Sequence, residues 1–241
     1  MPTRALVIIP TYNERESIER LLPRVLTTEV DVLVVDDGSP DGTGDYVDGV
    51  AASESRVSLL RRTTKDGLGP AYLAGFSWGL ERGYDVLLEL DADGSHPPEV
   101  IPVMLGVLDD DTAGRVGGVI GSRWVPGGSV VDWPLRRTLI SRGGSWYARV
   151  MLGLRVRDVT AGFRAYRSSV LRDLHLEDVE SHGYCFQIDM TRRVVDAGFD
   201  LVEVPIEFRE REFGHSKMSG AIVREAMMKV TQWGMQRLFR R

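Results

Sequence analysis

The sequence predicts an α/β fold: a doubly wound, mostly parallel sheet with helices on both faces, followed by a C-terminal amphipathic extension. Three observations carry this reading. Five short runs in the first half, rich in Val, Ile and Leu and bounded by polar or turn residues, read as strands buried on both faces. Four stretches of helical spacing fall between them in alternation. Strands and helices alternating in this way build a parallel sheet, and ligands collect at the carboxyl ends of its strands.

The predicted strands cover residues 5–10, 31–35, 57–60, 85–90 and 116–121, and the helices 14–27, 41–53, 68–82 and 98–108. Asn13, followed three residues later by Glu16, is a capping-box pattern at the head of the first helix. Pro97 and Pro98 suit the first turn of the fourth. After residue 122 the rhythm changes. Pro126, Gly127, Gly128 and Pro134 mark a loop, and residues 135–152 show helical spacing with Leu135, Leu139, Trp146 and Val150 on one side. Gly143 and Gly144 work against that helix by about 1 kcal/mol each. A strand at 162–166, a helix at 184–197, a strand at 201–208 and a helix at 219–239 complete the pattern.

A chain of 241 residues with 43% hydrophobic content is long enough for one large domain with a sizeable core. Its composition excludes disordered, collagen-like and disulfide-scaffold classes. Cys185 is the single cysteine, which points to a reducing compartment. The longest uncharged apolar run, residues 100–108, falls far short of the roughly 20 residues of a membrane-spanning helix. No secretory pattern precedes the first strand, so the expected location is cytoplasmic.

The net charge of −5 argues against a nucleic-acid partner. It also hides an asymmetry. Residues 1–122 carry 10 basic and 21 acidic side chains, whereas residues 123–172 carry 10 arginines against only Asp132 and Asp158. The remaining residues, 173–241, are nearly balanced at 10 basic and 12 acidic.

The strongest local motif is Asp91-Ala92-Asp93, directly after the fourth strand. Two carboxylates one residue apart at a strand end project to the same side, where hard oxygen ligands suit Mg²⁺ or Mn²⁺ held jointly with a diphosphate. Read otherwise, both residues form a turn and cap the next helix. Asp36-Asp37 ends the second strand, where a carboxylate accepts hydrogen bonds from a nucleobase or ribose, or turns the chain. The first strand ends in Pro10-Thr11-Tyr12-Asn13-Glu14, with Tyr12 suited to pack on a base and Glu14 to bind a ribose hydroxyl or cap the helix. Lys65-Asp66-Gly67-Leu68-Gly69 precedes the third helix, whose N-terminus favours anions. It lacks the Walker order. The four histidines are not spaced as a zinc site, and His96 reads as a turn residue.

Taken together, these motifs resemble the family 2 glycosyltransferases of GT-A fold. Within that family the chain is most similar to dolichol- or polyprenol-phosphate mannose synthases. Residues 158–164 (Asp-Val-Thr-Ala-Gly-Phe-Arg) and 211–217 (Arg-Glu-Phe-Gly-His-Ser-Lys) match later motifs of that group, and the likeness covers roughly residues 5–220. It implies a glycosyltransferase domain over 1–218, with a nucleotide-sugar half at 1–122 and an acceptor half at 123–218, followed by an amphipathic helix at 219–241.

The resemblance implies a site position by position. Pro10, Tyr12, Glu14 and Asp37 would hold the nucleoside of GDP-mannose, with Lys65 and Ala92 beside the donor. Asp91 and Asp93 would bracket the diphosphate and an Mg²⁺ or Mn²⁺ ion, with Ser95 as a further metal contact. Arg211 and Lys217 would reach the phosphates from the far side. Arg123, Arg137 and Ser141 would take the phosphate of a polyprenyl or dolichyl acceptor, making Arg123 catalytic alongside Asp91 and Asp93. The implied reaction is inverting transfer of mannose to the lipid phosphate; a UDP-sugar donor such as UDP-glucose and a non-catalytic nucleotide-sugar-binding module are the alternatives. Transfer from a nucleotide sugar passes through an oxocarbenium-like state. A phosphate acceptor needs no general base, because its second pKa of about 6 leaves it largely ionised. The arginine-rich segment and the apolar residues of the two late helices then suit a membrane surface, reached peripherally from the cytoplasmic face, with a membrane-protein partner recruiting the chain.

Overall fold

The structure, a computed structural model, describes residues 3–179, 184–210 and 220–239. Its elements run β1 (Ala5–Thr11), α1 (Arg15–Leu26), β2 (Asp31–Asp36), α2 (Thr43–Ala51), β3 (Val57–Arg61), α3 (Leu68–Glu81), β4 (Val86–Glu89), α4 (Ile101–Asp110), β5 (Val116–Ser122), β6 (Ser129–Val131) and α5 (Leu135–Leu152). Then follow β7 (Arg164–Arg167), α6 (Ser168–Asp173), α7 (Tyr184–Asp196), β8 (Asp200–Pro205), β9 (Glu207–Arg209) and α8 (Gly220–Phe239). Short 3₁₀ turns at Pro98–Val100 and Leu176–Asp178 lead into α4 and precede α7. The five strands and four helices expected of the first half are all present.

Seven strands form one sheet in the order β3-β2-β1-β4-β7-β5-β8. Every pairing is parallel except those of β7, which runs antiparallel between β4 and β5 with Ala165 opposite both Leu88 and Val119. The second half therefore does not dock onto the first but inserts a strand into its sheet. Residues 201–208, expected as one strand, divide between β8 and β9, and β9 leaves the main sheet to pair in parallel with β6.

Strand alternation splits the core between the two faces. Val7 and Ile9 pack under α1, α2 and α4 with Ile18, Leu22, Val47 and Met104. Leu6 and Ile8 pack under α3, α6 and α7 with Tyr72, Phe76, Val170, Phe186 and Met190. A third cluster lies beneath α5 and α8, where Ala148, Leu152 and Val230 meet Ile120, Val159 and Ile188. Helix α3 sits close on the sheet because it presents Gly75 and Gly79 to it: a Cβ at Gly75 would fall onto Ile8, and one at Gly79 would stand 2.5 Å from a Leu87 methyl.

The capping box expected at α1 does not form. Asn13 lies in the left-handed region at φ +57, and the helix N-cap is Glu14. The main-chain N–H groups of Asn13, Glu14 and Arg15 donate instead to Ser39 Oγ and Asp41 Oδ2 of the β2–α2 loop and to Thr43 Oγ1 at the start of α2, in the order Ser39, Thr43, Asp41. The first helix is thus capped by a neighbouring loop, which fixes the carboxyl ends of β1 and β2 against each other.

Helix α5 forms over the expected residues despite its two glycines. Its Leu135, Leu139, Trp146 and Val150 face outward, each more than 60% exposed. No helix among the described residues is long and apolar enough to cross a membrane.

Gly79→Val should destabilise the protein by about 1–3 kcal/mol through overpacking of the α3–sheet contact. Gly49→Ala, in open space on α2, should stabilise it by up to about 1 kcal/mol. Urea midpoints of the two variants would show this opposition, and shifts of equal sign would contradict it.

Candidate active site

The carboxyl ends of β1, β2 and β4 open onto one cleft of about 390 Å³. Pro10, Tyr12, Glu14, Asp37, Lys65, Asp91, Ala92, Asp93 and Ser95 all line it, as do Arg123 and Arg137 from the second half. Ser141 stands apart: it lines a second, largely apolar groove of about 430 Å³ between α5 and α8. Arg211 and Lys217 lie outside the described residues.

At the β1 and β2 end of the cleft, the Lys65 ammonium stands 3.6 Å from the centre of the Tyr12 ring. Asp37 takes a hydrogen bond from Arg62 Nη1 at 2.8 Å. Burial nevertheless holds its pKa above the usual carboxylate value, against the pull of Arg62. Asp36 faces inward instead and binds the Thr11 and Ser39 hydroxyls. Of the acidic pair, then, Asp36 ties strands together and Asp37 faces the cleft.

At the end of β4, the Tyr72 hydroxyl donates to Asp91 Oδ1 at 3.2 Å. Gly162 backs the same carboxylate, since a Cβ there would lie 3.3 Å from Asp91 Oδ2. Ser95 is buried, and its main-chain N–H and hydroxyl both donate to Asp93 Oδ1. His96 lies at a bend in the loop after β4, as a turn residue would, but it is not exposed. It is buried against the rings of Phe163 and Phe208, with its Nδ1 3.9 Å from Asp91 Oδ2, and burial lowers its pKa, keeping the imidazole neutral. Asp91, Asp93 and His96 together offer atoms suited to a divalent cation, all within 4.8 Å of one another.

The far wall is held by a buried ion pair. Arg123 donates from Nε and Nη2 to the two oxygens of Asp158 at 2.7 and 2.6 Å, and its Nη2 also reaches Thr160 Oγ1 at 3.1 Å. This two-pronged geometry fixes the guanidinium plane. Arg137 is held differently: its guanidinium lies 4.1 Å from the Trp133 ring centre, and its Nη1 bonds Glu210 at 2.5 Å. Arg123, Trp133, Arg137 and Thr160 line both the polar cleft and the apolar groove, so the two hollows share a cationic wall.

Sequence reasoning did not single out Trp133, Thr160 and Phe208 as lining residues. Thr160 carried a signal, because it lies inside a motif with Asp158 and Gly162. Trp133 and Phe208 carried none. They arrive through the β6–β9 pairing, which no local pattern announces.

Glu89, two residues before Asp91, is fully buried. It accepts a hydrogen bond from Gln187 Nε2 at 2.8 Å, and its Oε1 has no partner. Burial outweighs the nearby Arg164 and pushes its pKa up to about 8.

Comparison with known proteins fits this geometry. The family described as Glycosyl transferase family 2 matches residues 6–175. An undecaprenyl-phosphate mannosyltransferase from Micrococcus luteus is 58% identical over 234 residues, covering 96% of this chain and 94% of that protein. Among solved structures, glucosyl-3-phosphoglycerate synthase from Mycobacterium tuberculosis with Mn²⁺ and UDP-glucose superposes with a TM-score of 0.71 at 19% identity, covering 97% of this chain and 80% of that one. A mannosyltransferase from Pyrobaculum calidifontis in complex with GDP-Man and Mn²⁺ superposes with a TM-score of 0.61 at 19% identity, covering 99% and 64%. The fold is therefore that of these glycosyltransferases. The chain belongs to glycosyl transferase family 2.

Removing one partner of the buried pair leaves a charge without compensation. Asp158→Ala should cost about 3–5 kcal/mol in urea unfolding, and a cost under about 1 kcal/mol would show that Arg123 is held by other means. Glu89 gives a pH test. The folded chain keeps its proton up to about 8, whereas the unfolded chain releases it near 4.5. The folded state binds more protons within that window, so the contribution of Glu89 to stability falls as pH rises through it. The metal-free Glu89→Gln variant should therefore gain stability relative to the parent between about pH 5 and about pH 8, and a constant difference between the two proteins would refute the shift.

Proposed function

We propose that the chain transfers mannose from GDP-mannose to a polyprenyl phosphate with inversion, releasing GDP and a β-linked mannosyl phospholipid. The observation that carries this is the shared wall of Arg123 and Arg137 between a carboxylate-lined cleft and an apolar groove. An acceptor matching that junction has an anionic head and an apolar tail. The Micrococcus relative supports a polyprenyl phosphate, and the GDP-Man complex of the Pyrobaculum enzyme supports the donor.

In this reading the nucleoside lies against Pro10, Tyr12 and Glu14, with Asp37 accepting hydrogen bonds from the base or ribose. Lys65 and the N-terminus of α3 face its phosphates. Asp91, Asp93 and the neutral His96 fit a divalent cation, which when bound offsets the charge of the departing diphosphate. Arg123, fixed by Asp158, and Arg137 orient the acceptor phosphate. One of its oxygens attacks the sugar C1 on the face opposite the diphosphate; the C1–O bond to GDP breaks, and GDP leaves with the electron pair. Charge spreads over the sugar in the transition state, as in glycoside hydrolysis. No side chain is needed to take a proton from the acceptor.

Of the exposed apolar residues on α5 and α8, Ile140, Trp146 and Met227 line the groove itself. They support a membrane surface as the place where the acceptor is met, on the cytoplasmic face, with a membrane protein as recruiting partner.

The test is incubation of the purified protein with Mg²⁺ or Mn²⁺, polyprenyl phosphate and separate labelled nucleotide sugars. Label should enter the lipid from GDP-mannose, and the product's anomeric NMR coupling should show the β configuration. Label entering only from a UDP-sugar would overturn the donor, and a product of α configuration would overturn inversion.

A further inference from the structure

Asp91 and Asp93 are not the only groups aimed at the cation position. His96 Nδ1 is fully buried without a hydrogen-bond partner, 3.9 Å from Asp91 Oδ2. A buried nitrogen left bare is costly and calls for a partner. Packing sets where it points: the His96 ring lies 5.6 Å from the Phe163 ring and 5.0 Å from that of Phe208, edge-on to the latter. Its neighbour Ser95, a metal contact on the strength of sequence position, already donates its hydroxyl to Asp93. Ligands sharing an octahedral ion at bonds of about 2.1 Å stand about 3 Å apart when adjacent and about 4 Å apart when opposite. The separation of His96 from Asp91 lies within that range.

We propose that His96 Nδ1 is a third protein ligand to the divalent ion held by Asp91 and Asp93, and that this nitrogen biases the site toward Mn²⁺ over Mg²⁺. The proposal rests on the reading that the two carboxylates hold the ion. Mg²⁺ takes oxygen ligands almost without exception, whereas a transition ion accepts a mixed nitrogen and oxygen set. The neutral imidazole carries one N–H and one lone pair, so a single tautomer suffices to present the lone pair at Nδ1. Ser95 then serves the site indirectly, by fixing the rotamer of Asp93.

Pulsed electron paramagnetic resonance of Mn²⁺ bound to the protein labelled with ¹⁵N-histidine, with and without GDP, tests this directly. The expected result is a ¹⁵N coupling from one imidazole on the bound ion. His96→Gln should remove that coupling, weaken Mn²⁺ binding by about tenfold or more, and shrink the preference for Mn²⁺ over Mg²⁺ in competition titrations. Bound Mn²⁺ without ¹⁵N coupling, or coupling that persists in His96→Gln, overturns the proposal and leaves the carboxylate reading intact. A protein that binds no Mn²⁺, or binds it equally well after Asp93→Asn, overturns the carboxylate reading itself. The labelling measurement on the unsubstituted chain holds whether or not the His96 variant folds.

Discussion

The arrangement of the whole site depends on one fully buried guanidinium. Arg164 opens β7, the strand that enters the sheet between β4 and β5, and it has no exposure to solvent. Its Nε donates to the Ala161 carbonyl, its Nη2 to that of Val159, and its Nη1 to Gln187 O, Thr191 Oγ1 and the Tyr166 hydroxyl. A charge so deep is tolerable only with its hydrogen bonds satisfied. Satisfying them pins the turn at residues 158–162 and the first turn of α7 to one point. That turn delivers Asp158 to Arg123, Thr160 to the shared wall, and Gly162 to the back of Asp91.

This explains why an antiparallel strand sits in an otherwise parallel sheet. The acidic motif follows β4 and Arg123 follows β5, and β7 lies between these two strands. With β7 inserted, the loop preceding it emerges at the same edge as the ends of β4 and β5. Three sequence-distant motifs therefore meet within a few ångströms. The β6–β9 pair then closes the far side with Trp133 and Phe208, whose rings lie 5.2 Å apart.

Much of the carboxylate-lined cleft was legible in the sequence, because most of its residues follow strands that local periodicity marks. Tyr12, Asp37, Asp91 and Asp93 stand out by strand-end position, with turn and capping roles open for the carboxylates, whereas the roles of Pro10 and Lys65 came only with the family resemblance. Contacts between distant segments were not legible. The Asn13–Glu16 pattern read as a self-contained cap, yet Ser39, Asp41 and Thr43, distant in sequence, take the N–H groups at the head of α1. His96 read as a turn residue because its burial depends on Phe163 and Phe208, which come from β7 and β9. The position of Ser141 in the groove rather than the cleft depends on how α5 lies against α8.

The charge asymmetry shows the same limit in another form. Ten arginines against two carboxylates in residues 123–172 read as an anion-collecting surface. Several serve the fold instead. Arg164 serves main-chain carbonyls deep in the core, Arg167 donates to those of Val116 and Leu108, and Arg172 to that of Leu80. Arg123 is matched by Asp158. The cationic character left at the junction of cleft and groove is carried by Arg137, whose partner Glu210 is partly exposed. For the phosphate of the proposed acceptor the two guanidiniums are thus unequal. Arg123 offers a fixed direction with its charge already compensated, so it contributes geometry. Arg137 offers an ion pair that a doubly charged phosphate can outcompete, since exchanging one carboxylate for two negative charges raises the attraction without exposing a buried charge. In the proposed reaction, a rigid donor beside an exchangeable one suits a site that positions a phosphate and then releases its ester.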